Sequence, residues 1–170
     1  MFKRILVAAI AAAATFMPVG AEVQEGTSEL LSTLENSGIL VTYNHPDCET
    51  NNTHGSYRWI GFQREMRLCP GDTVDAKDHN TVRHETIHAI QHCVNVARGT
   101  DENTPVIQDE EVLREFVFRN LTQEQIEFIF AAYPQDQWLV ELEAFAGAEH
   151  YTASELQELF LSACVMSTDT

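Results

Sequence analysis

The sequence predicts an α+β fold, in which a small N-terminal antiparallel sheet is followed by a mostly helical remainder. Two observations lead to this prediction. The short segments rich in β-branched and aromatic residues all lie before position 70. From about position 78 onward, apolar side chains recur every three or four residues, as is typical of amphipathic helices. Because no internal repeat interrupts this order, we expect one domain.

The first residues, MFKRILVAAIAAAATFMPVGA, have the layout of a secretory signal peptide. Lys3 and Arg4 precede an apolar run that is too short for a comfortable membrane span, and small residues lead up to a predicted cleavage after Ala21. An uncleaved N-terminal anchor is the alternative. We expect residues 1–21 to be removed and residues 22–170 to form one exported domain, periplasmic or extracellular, with no further membrane segment.

The chain is strongly acidic, with 26 Asp and Glu residues against 10 Lys and Arg residues and a formal net charge of −16. Nucleic acids and anionic membranes carry the same sign of charge and would repel it. We therefore expect neither of them as a partner, and the charge by itself identifies no substrate. The oligomeric state stays open.

The N-terminal part begins with a short amphipathic helix, predicted over residues 28–37 and ended by Gly38. Three β segments follow it, separated first by a long polar loop and then by a short turn. These segments are ILVTY (39–43), YRWIGF (57–62) and EMRLC (65–69).

The C-terminal part contains five predicted helices. Two of them begin with a capping box, Thr122-x-x-Gln125 and Thr152-x-x-Glu155, in which side chains at the first turn bond each other's backbone amides. The five helices are predicted over residues 78–98, 109–119, 123–133, 136–150 and 154–166.

Four cysteines lie downstream of the signal peptide, and an even number in an exported chain indicates two disulfide bonds. If the strands pair in sequence order, Cys48 and Cys69 lie at the same end of the sheet. Cys93 and Cys164 each lie among apolar residues of a predicted helix. We therefore predict the pairs Cys48–Cys69 and Cys93–Cys164. Zinc binding by cysteine is not favoured, since the sequence has no Cys-x-x-Cys spacing.

The segment TVRHETIHAIQHC (81–93) contains His84-Glu85-x-x-His88 on one of these helices. Residues four apart lie on one helix face, about 6 Å apart along the axis, so both imidazoles can bind one metal ion. Glu85 emerges beside the first histidine, where its carboxylate can take a proton from a zinc-bound water. The pattern predicts a zinc (Zn²⁺) site with His84 and His88 as ligands and Glu85 as the general base.

A third histidine, His92, lies one helical turn further along. It is about 12 Å from His84 along the axis, so it cannot bind the same ion at a distance of about 2 Å. The metzincin pattern is also absent, because Gln91 and Val94 stand where it requires glycine and a third histidine. We expect His92 to support a ligand or to lie on the surface.

A third ligand is expected on the segment WLVELEAFAGAEHY (138–151), whose small and apolar residues indicate close packing against another helix. The motif HETIH followed by a helix with Glu-x-x-Ala resembles the gluzincin branch of the zincin metallopeptidases. This resemblance implies a zincin-like domain with Glu141 as the third zinc ligand, and Glu143 is the alternative. Phe145 departs from the family, which usually has Asp or Asn there to orient a zinc-bound histidine.

The resemblance also implies a peptide or protein substrate and hydrolysis of its peptide bonds. In zincins an edge strand above the metal can bind an extended peptide by main-chain hydrogen bonds, and YRWIGF or EMRLC could form that edge. Tyr133, His150 and Tyr151 are candidates for stabilising the oxyanion of the transition state. The alternatives are a non-catalytic protein with this fold and a metal-free binding protein stabilised by disulfide bonds.

Overall fold

A computed structural model of the chain confirms the predicted α+β fold. No described helix is long and apolar enough to cross a membrane. The predicted signal peptide lies outside the described residues. The structure describes residues 26–46, 48, 54–69, 76–100 and 102–165.

The N-terminal part contains helix α1 and a three-stranded sheet. Gly38, at a φ of 82°, turns the chain from α1 into the first strand, and Gly61, at a φ of 62°, forms the tight turn between the second and third strands. The elements are α1 (Thr27–Asn36), β1 (Ile39–Tyr43), β2 (Gly55–Ile60) and β3 (Gln63–Leu68).

The sheet is mixed, with the strand order β1-β3-β2. β2 and β3 form an antiparallel hairpin, whereas β1 pairs with β3 in parallel. The prediction of a wholly antiparallel sheet with strands in sequence order is therefore wrong for β1. The physical reason lies in β3, whose Met66, Arg67 and Leu68 are all buried and so occupy the centre of the sheet between two neighbours.

Among the described residues, five helices follow the sheet, and three of them begin at a residue whose side chain caps the helix. Both predicted capping boxes are present, at Thr122 with Gln125 and at Thr152 with Glu155. Asp109 caps another helix by accepting hydrogen bonds from two backbone amides. The helices are α2 (Ala76–Ala97), α3 (Glu110–Asn120), α4 (Gln123–Ala132), α5 (Trp138–His150) and α6 (Ala153–Cys164), with a 3₁₀ turn (Gln135–Gln137) before α5.

Helix α5 lies between two hydrophobic clusters. Its Ala144 and Ala148 belong to a cluster formed with the sheet, α1, α2 and α6, and its Leu142 and Ala146 belong to a second cluster formed with α3 and α4. A helix packed on both sides is apolar around most of its circumference, which explains why α5 shows no clear amphipathic stripe. At Gly147, an added Cβ would lie 2.5 Å from Ile87 Cδ1, so α5 approaches α2 very closely.

Both predicted disulfide bonds are confirmed. Cys48–Cys69 joins the segment after β1 to the end of β3, with 5.6 Å between the Cα atoms. Cys93–Cys164 joins α2 to α6, with 5.2 Å between the Cα atoms. The second bond therefore fixes the helix that carries the HETIH motif to the C-terminal helix.

Candidate metal centre

Helices α2 and α5 bring three of the predicted site residues together. His84 Nε2 and His88 Nε2 are 3.0 Å apart. Glu141 Oε2 lies 3.4 Å from His84 Nε2, and Glu141 Oε1 lies 3.5 Å from His88 Nε2. The three side chains thus point their ligand atoms at one another from two packed helices, and they form a group able to hold a metal ion.

These distances can be compared with those that a zinc ion requires. Two ligands bound at 2.0–2.2 Å with tetrahedral angles are about 3.3 Å apart. The observed separations of 3.0, 3.4 and 3.5 Å lie close to that value. Two imidazole nitrogens and one carboxylate are also donor types that zinc binds readily.

The burial of these side chains is a second, energetic reason to expect a metal ion. The side chains of His84, His88 and Glu141 are 11%, 13% and 10% exposed. Within the described residues, Glu85 Oε2 and Glu141 Oε2 are buried without a hydrogen-bond partner. Two such carboxylate oxygens in one site are costly unless a cation compensates them, so the residues fit a metal ion.

The electrostatics of the cluster follow from the same contacts. Burial alone would raise the pKa of Glu141, but its close contacts with His84 and His88 outweigh this effect and lower the pKa to about 2. Burial likewise lowers the pKa of His88, whereas its contact with Glu141 and the nearby charges raise it to about 9. The cluster therefore favours an ionised Glu141 beside groups that take up positive charge.

Glu143, the alternative third ligand, is part of a different set of contacts. It lies two residues beyond Glu141 on α5, and its carboxylate accepts hydrogen bonds from Gln91 Nε2 and from the backbone amides of Val106 and Ile107. The structure therefore brings Glu141, and not Glu143, to the two histidines.

His88 has a polar partner on the side away from Glu141. Its Nδ1 lies 2.7 Å from Gln91 Oε1. This contact was not predicted from the sequence, although the spacing of three residues on one helix is a signal that could have indicated it.

His84 has an apolar neighbour instead. The ring of Phe145 packs edge-on against the His84 ring, with 4.4 Å between their centroids. His84 Nδ1 is buried and has no hydrogen-bond partner among the described residues. The departure noted at Phe145 therefore has a physical counterpart, since no carboxylate or amide oxygen orients this imidazole.

Glu85 lies between the cluster and strand β2. Burial raises the pKa of its carboxylate, while His84 and His88 oppose this effect. The backbone amide of Tyr57 donates a hydrogen bond to it. A Cβ at Gly55 would lie 3.1 Å from Glu85 Oε1 and 2.5 Å from Thr81 Cγ2, so the strand can approach α2 this closely only at a glycine.

The position of β2 distinguishes the two candidate edge strands. β3, which contains most of EMRLC, lies in the centre of the sheet with a strand on each side. β2, which contains YRWI, is an outer strand, and its Tyr57 amide points away from β3 toward Glu85. Of the two candidates, only β2 presents a strand edge to the cluster.

His92 has a role that the sequence analysis did not predict. Its ring stacks on Trp59 with 4.2 Å between centroids, and its Nδ1 lies 3.0 Å from Tyr57 Oη. Burial, followed by the nearby Arg64 charge, lowers the pKa of His92, which favours the neutral ring in its hydrogen bond with the Tyr57 hydroxyl. His92 is half-buried and attaches β2 to α2, a contact that was not predicted from the sequence.

Of the three candidates for oxyanion stabilisation, Tyr133 lies nearest the cluster. Burial raises its pKa, and the charges of Glu141 and Glu85 raise it further. His150 instead lies 3.1 Å from Asn120 Oδ1, and the pKa of Tyr151 is raised by burial and then by Glu143 rather than by Glu141. Tyr133 thus retains its proton and can donate it in a hydrogen bond.

An apolar cavity of about 360 Å³ lies beside a neighbouring face of α2. Its wall includes Glu143 and Gly147 of α5, whereas none of the three candidate ligands contributes to it. The polar cluster and the cavity are therefore separate features. Most of the remaining lining comes from α2 and α6, including Ile87, Ile90, Val94, Leu156 and Leu159.

No protein-family model, curated protein or solved structure matches this chain.

Proposed function

We propose that this protein is an exported zinc-dependent hydrolase of the gluzincin type, and most specifically a metallopeptidase. The observation that carries the proposal is the convergence of His84, His88 and Glu141 at separations close to those of three zinc ligands. The two disulfide bonds support export, because such bonds persist in oxidising compartments.

In this proposal His84, His88 and Glu141 hold the zinc ion. Zinc bound there would supply a Lewis acid that lowers the pKa of water and polarises a carbonyl group. Two imidazoles and one carboxylate suit zinc and also iron(II). Zinc is preferred here because His84-Glu85-x-x-His88 is the spacing of zinc hydrolases, with Glu85 beside the first ligand.

Glu85 is the general base in this proposal. Its buried Oε2 has no hydrogen-bond partner among the described residues and can accept a proton. The other oxygen, Oε1, faces the backbone at Gly55, and the Tyr57 amide bonds the carboxylate. These contacts hold the carboxylate beside the histidines in one orientation, as a base in a preorganised site requires.

Two further features support peptide hydrolysis in particular. β2 is an outer strand next to the cluster, and its edge groups other than the Tyr57 amide, which bonds Glu85, would add an extended peptide by main-chain hydrogen bonds. Tyr133, whose pKa is raised by burial and by the charges of Glu141 and Glu85, is the residue we assign to donate a hydrogen bond to the oxygen on which negative charge develops. We therefore propose a peptide or protein as the substrate.

The test is the variant Glu85→Gln, which keeps the shape of the side chain and removes the base. We expect the wild type to bind one zinc ion per chain and to cleave peptides in a mixed peptide library. Glu85→Gln should bind zinc equally well and cleave at least about 100-fold more slowly. The matched control is Glu158→Gln, the same change at an exposed position on α6, which should cleave like the wild type.

Three results would decide against the proposal. Absence of zinc from protein purified without chelator would indicate a metal-free binding protein. Bound zinc without cleavage of any peptide would indicate a non-catalytic protein with this site. Full activity of Glu85→Gln would remove Glu85 from the role of base.

A further inference from the structure

A continuous chain of buried hydrogen bonds leads away from the candidate metal centre on the side of His88. It runs from His88 to Gln91 on the same helix, then to Glu143 on α5, and ends at the backbone of residues 106–107. Gln91 is fully buried and Glu143 is 4% exposed. Buried polar side chains such as these are retained only where their hydrogen bonds are satisfied.

We propose that Gln91 and Glu143 are positioning residues, which fix the tautomer and the ring orientation of His88 so that its Nε2 is available to the metal. This inference rests on the proposed zinc site and assigns two residues that the three-ligand pattern does not include. Neither residue touches the metal position or the substrate in this proposal, since both act through His88.

The orientation of the Gln91 amide is determined by its surroundings. Its Nε2 lies 2.9 Å from Glu143 Oε2 and 3.1 Å from the carbonyl oxygen of Val140. Both neighbours only accept hydrogen bonds, so the NH₂ group must face them and use both of its protons. The amide oxygen must then face His88.

The orientation of Gln91 in turn determines the tautomer of His88. Gln91 Oε1 is an acceptor at 2.7 Å from His88 Nδ1, so Nδ1 must carry a proton and donate it. A neutral imidazole with its proton on Nδ1 has its lone pair on Nε2. That is the nitrogen 3.5 Å from Glu141 Oε1 and 3.0 Å from His84 Nε2.

Glu143 fixes Gln91 because both of its oxygens are already held. Oε2 accepts from the Val106 amide at 2.7 Å as well as from Gln91, and Oε1 accepts from the Ile107 amide at 2.8 Å. Three N–H donors on two oxygens leave the carboxylate little freedom to rotate. Bonds to an ionised acceptor are also stronger than those between neutral groups.

The loop that supplies these amides is itself attached to α2. Asn95 Nδ2 donates to the Thr104 carbonyl at 2.8 Å, and Thr104 Oγ1 donates to Asn95 Oδ1 at 2.8 Å. Arg98 donates to the carbonyls of Pro105 and Val106. The loop is therefore held by Asn95, near the C-terminal end of the helix that carries His88, and by Arg98, just beyond that end.

The experiment measures zinc affinity by competition with a chromophoric chelator in Gln91→Met, Glu143→Gln and the double variant. Outer partners of metal-bound histidines typically change affinity 10–100-fold, so we expect a loss in that range for Gln91→Met and a smaller loss for Glu143→Gln. In the double variant, the loss should be close to that of Gln91→Met alone. A purely structural role for Glu143 would instead make the two losses multiply.

A rescue variant and a control complete the design. Gln91→Glu keeps an acceptor oxygen at His88 Nδ1, and its other oxygen, protonated beside the Glu143 carboxylate, can donate to Glu143 Oε2. It should therefore retain most of the affinity that Gln91→Met loses. The control is Thr86→Val, which removes the buried Thr86 Oγ1 to Val82 carbonyl bond on the same helix. It should lower the free energy of unfolding and leave the zinc dissociation constant unchanged.

The outcomes separate this inference from the proposed function. If the wild type binds no zinc, both fail together. If the wild type binds zinc and Gln91→Met binds it with the same dissociation constant, only the positioning role fails. Should Gln91→Met not fold, Glu143→Gln decides, and a zinc dissociation constant equal to that of the wild type in this variant would overturn the inference.

Discussion

The two histidines of the candidate metal centre have opposite surroundings, although they lie one turn apart on the same helix. His88 donates a hydrogen bond to Gln91, which is held by Glu143 and a loop. His84 packs against Phe145, and its Nδ1 has no partner in the part of the chain that the structure describes. One imidazole is thus oriented by a polar network, and the other by the shape of an aromatic ring.

This difference shows that the ligands of a metal site and the residues that orient those ligands are separate properties of the site. The positions of Nε2 on both rings and of the Glu141 carboxylate fit one metal ion. The groups behind the rings differ because His88 contacts Gln91, which Glu143 of α5 holds, whereas His84 contacts Phe145 of α5 directly. The difference between the two histidines can therefore be tested in two ways, by changing the ligands themselves or by changing the residues that contact them.

The largest effect is expected when a ligand itself is removed. His84→Ala and His88→Ala should each weaken zinc binding by more than about 100-fold, beyond the range typical of an outer partner, because each removes one of three protein ligands. Measured zinc content after gel filtration checks this. His92→Ala is the matched control on the same helix and should retain one zinc ion per chain. Stoichiometric zinc in either of the first two variants would contradict the ligand assignment.

A smaller effect is expected from giving His84 the polar partner that it lacks. Phe145→Asn places an amide oxygen next to His84 Nδ1, and an added outer hydrogen bond should tighten zinc binding by up to about tenfold. The free energy of unfolding should fall at the same time, since packing around the ring is lost. Chelator competition and urea unfolding measure the two quantities separately.

The control for this change is Phe128→Asn. Phe128 packs against Phe145, with 6.4 Å between the ring centroids, and is 57% exposed. Phe128→Asn should leave the zinc dissociation constant within about twofold of the wild-type value. That difference is smaller than the change expected when a residue that hydrogen-bonds a metal ligand is replaced. Unchanged or weaker zinc binding in Phe145→Asn would show that the missing hydrogen bond at His84 Nδ1 does not limit the zinc affinity of the site.

The smallest effect is expected at His92, the third histidine of the helix, which is not one of the two candidate ligands compared above. Tyr57→Phe removes the hydrogen bond from Tyr57 Oη to His92 Nδ1 and should lower the free energy of unfolding by about 1 kcal/mol. Zinc affinity should not change. Tyr43→Phe, at a tyrosine of β1 that is 53% exposed, is the control and should have almost no effect on unfolding in urea. A large loss of zinc affinity in Tyr57→Phe would place His92 in the metal centre after all.

Much of the fold followed from local signals in the sequence. The strand 39–43 and the two capping boxes occur where they were predicted, because each depends on neighbouring residues only. Both disulfide pairings were also predicted, since the faces and ends of the elements restrict which cysteines can meet. The parallel pairing of β1 was not predicted, because strand order depends on which strand is buried in the folded chain.

The candidate site, like the fold, could be predicted from the sequence only in part. Helical spacing was sufficient to bring His84 and His88 together and to exclude His92 from the same ion. The choice of Glu141 over Glu143 rested on a resemblance, because both glutamates lie on α5 and only the packing of α5 against α2 distinguishes them. Glu143 bonds a loop that follows α2 by several residues, and no spacing rule predicts such a contact.

The glycine beneath Glu85 has a consequence for how the sheet assembles. A side chain at position 55 would collide with Thr81 and press on Glu85, so the strand can dock on α2 only with a glycine at that point. A shift of β2 by two residues would bring Thr53 or Tyr57 to the position of Gly55. Neither side chain fits there, because the space has room only for the hydrogen atom of a glycine. Gly55 therefore restricts the register in which β2 can pack on α2, because only a glycine at this point leaves room for Thr81 and Glu85.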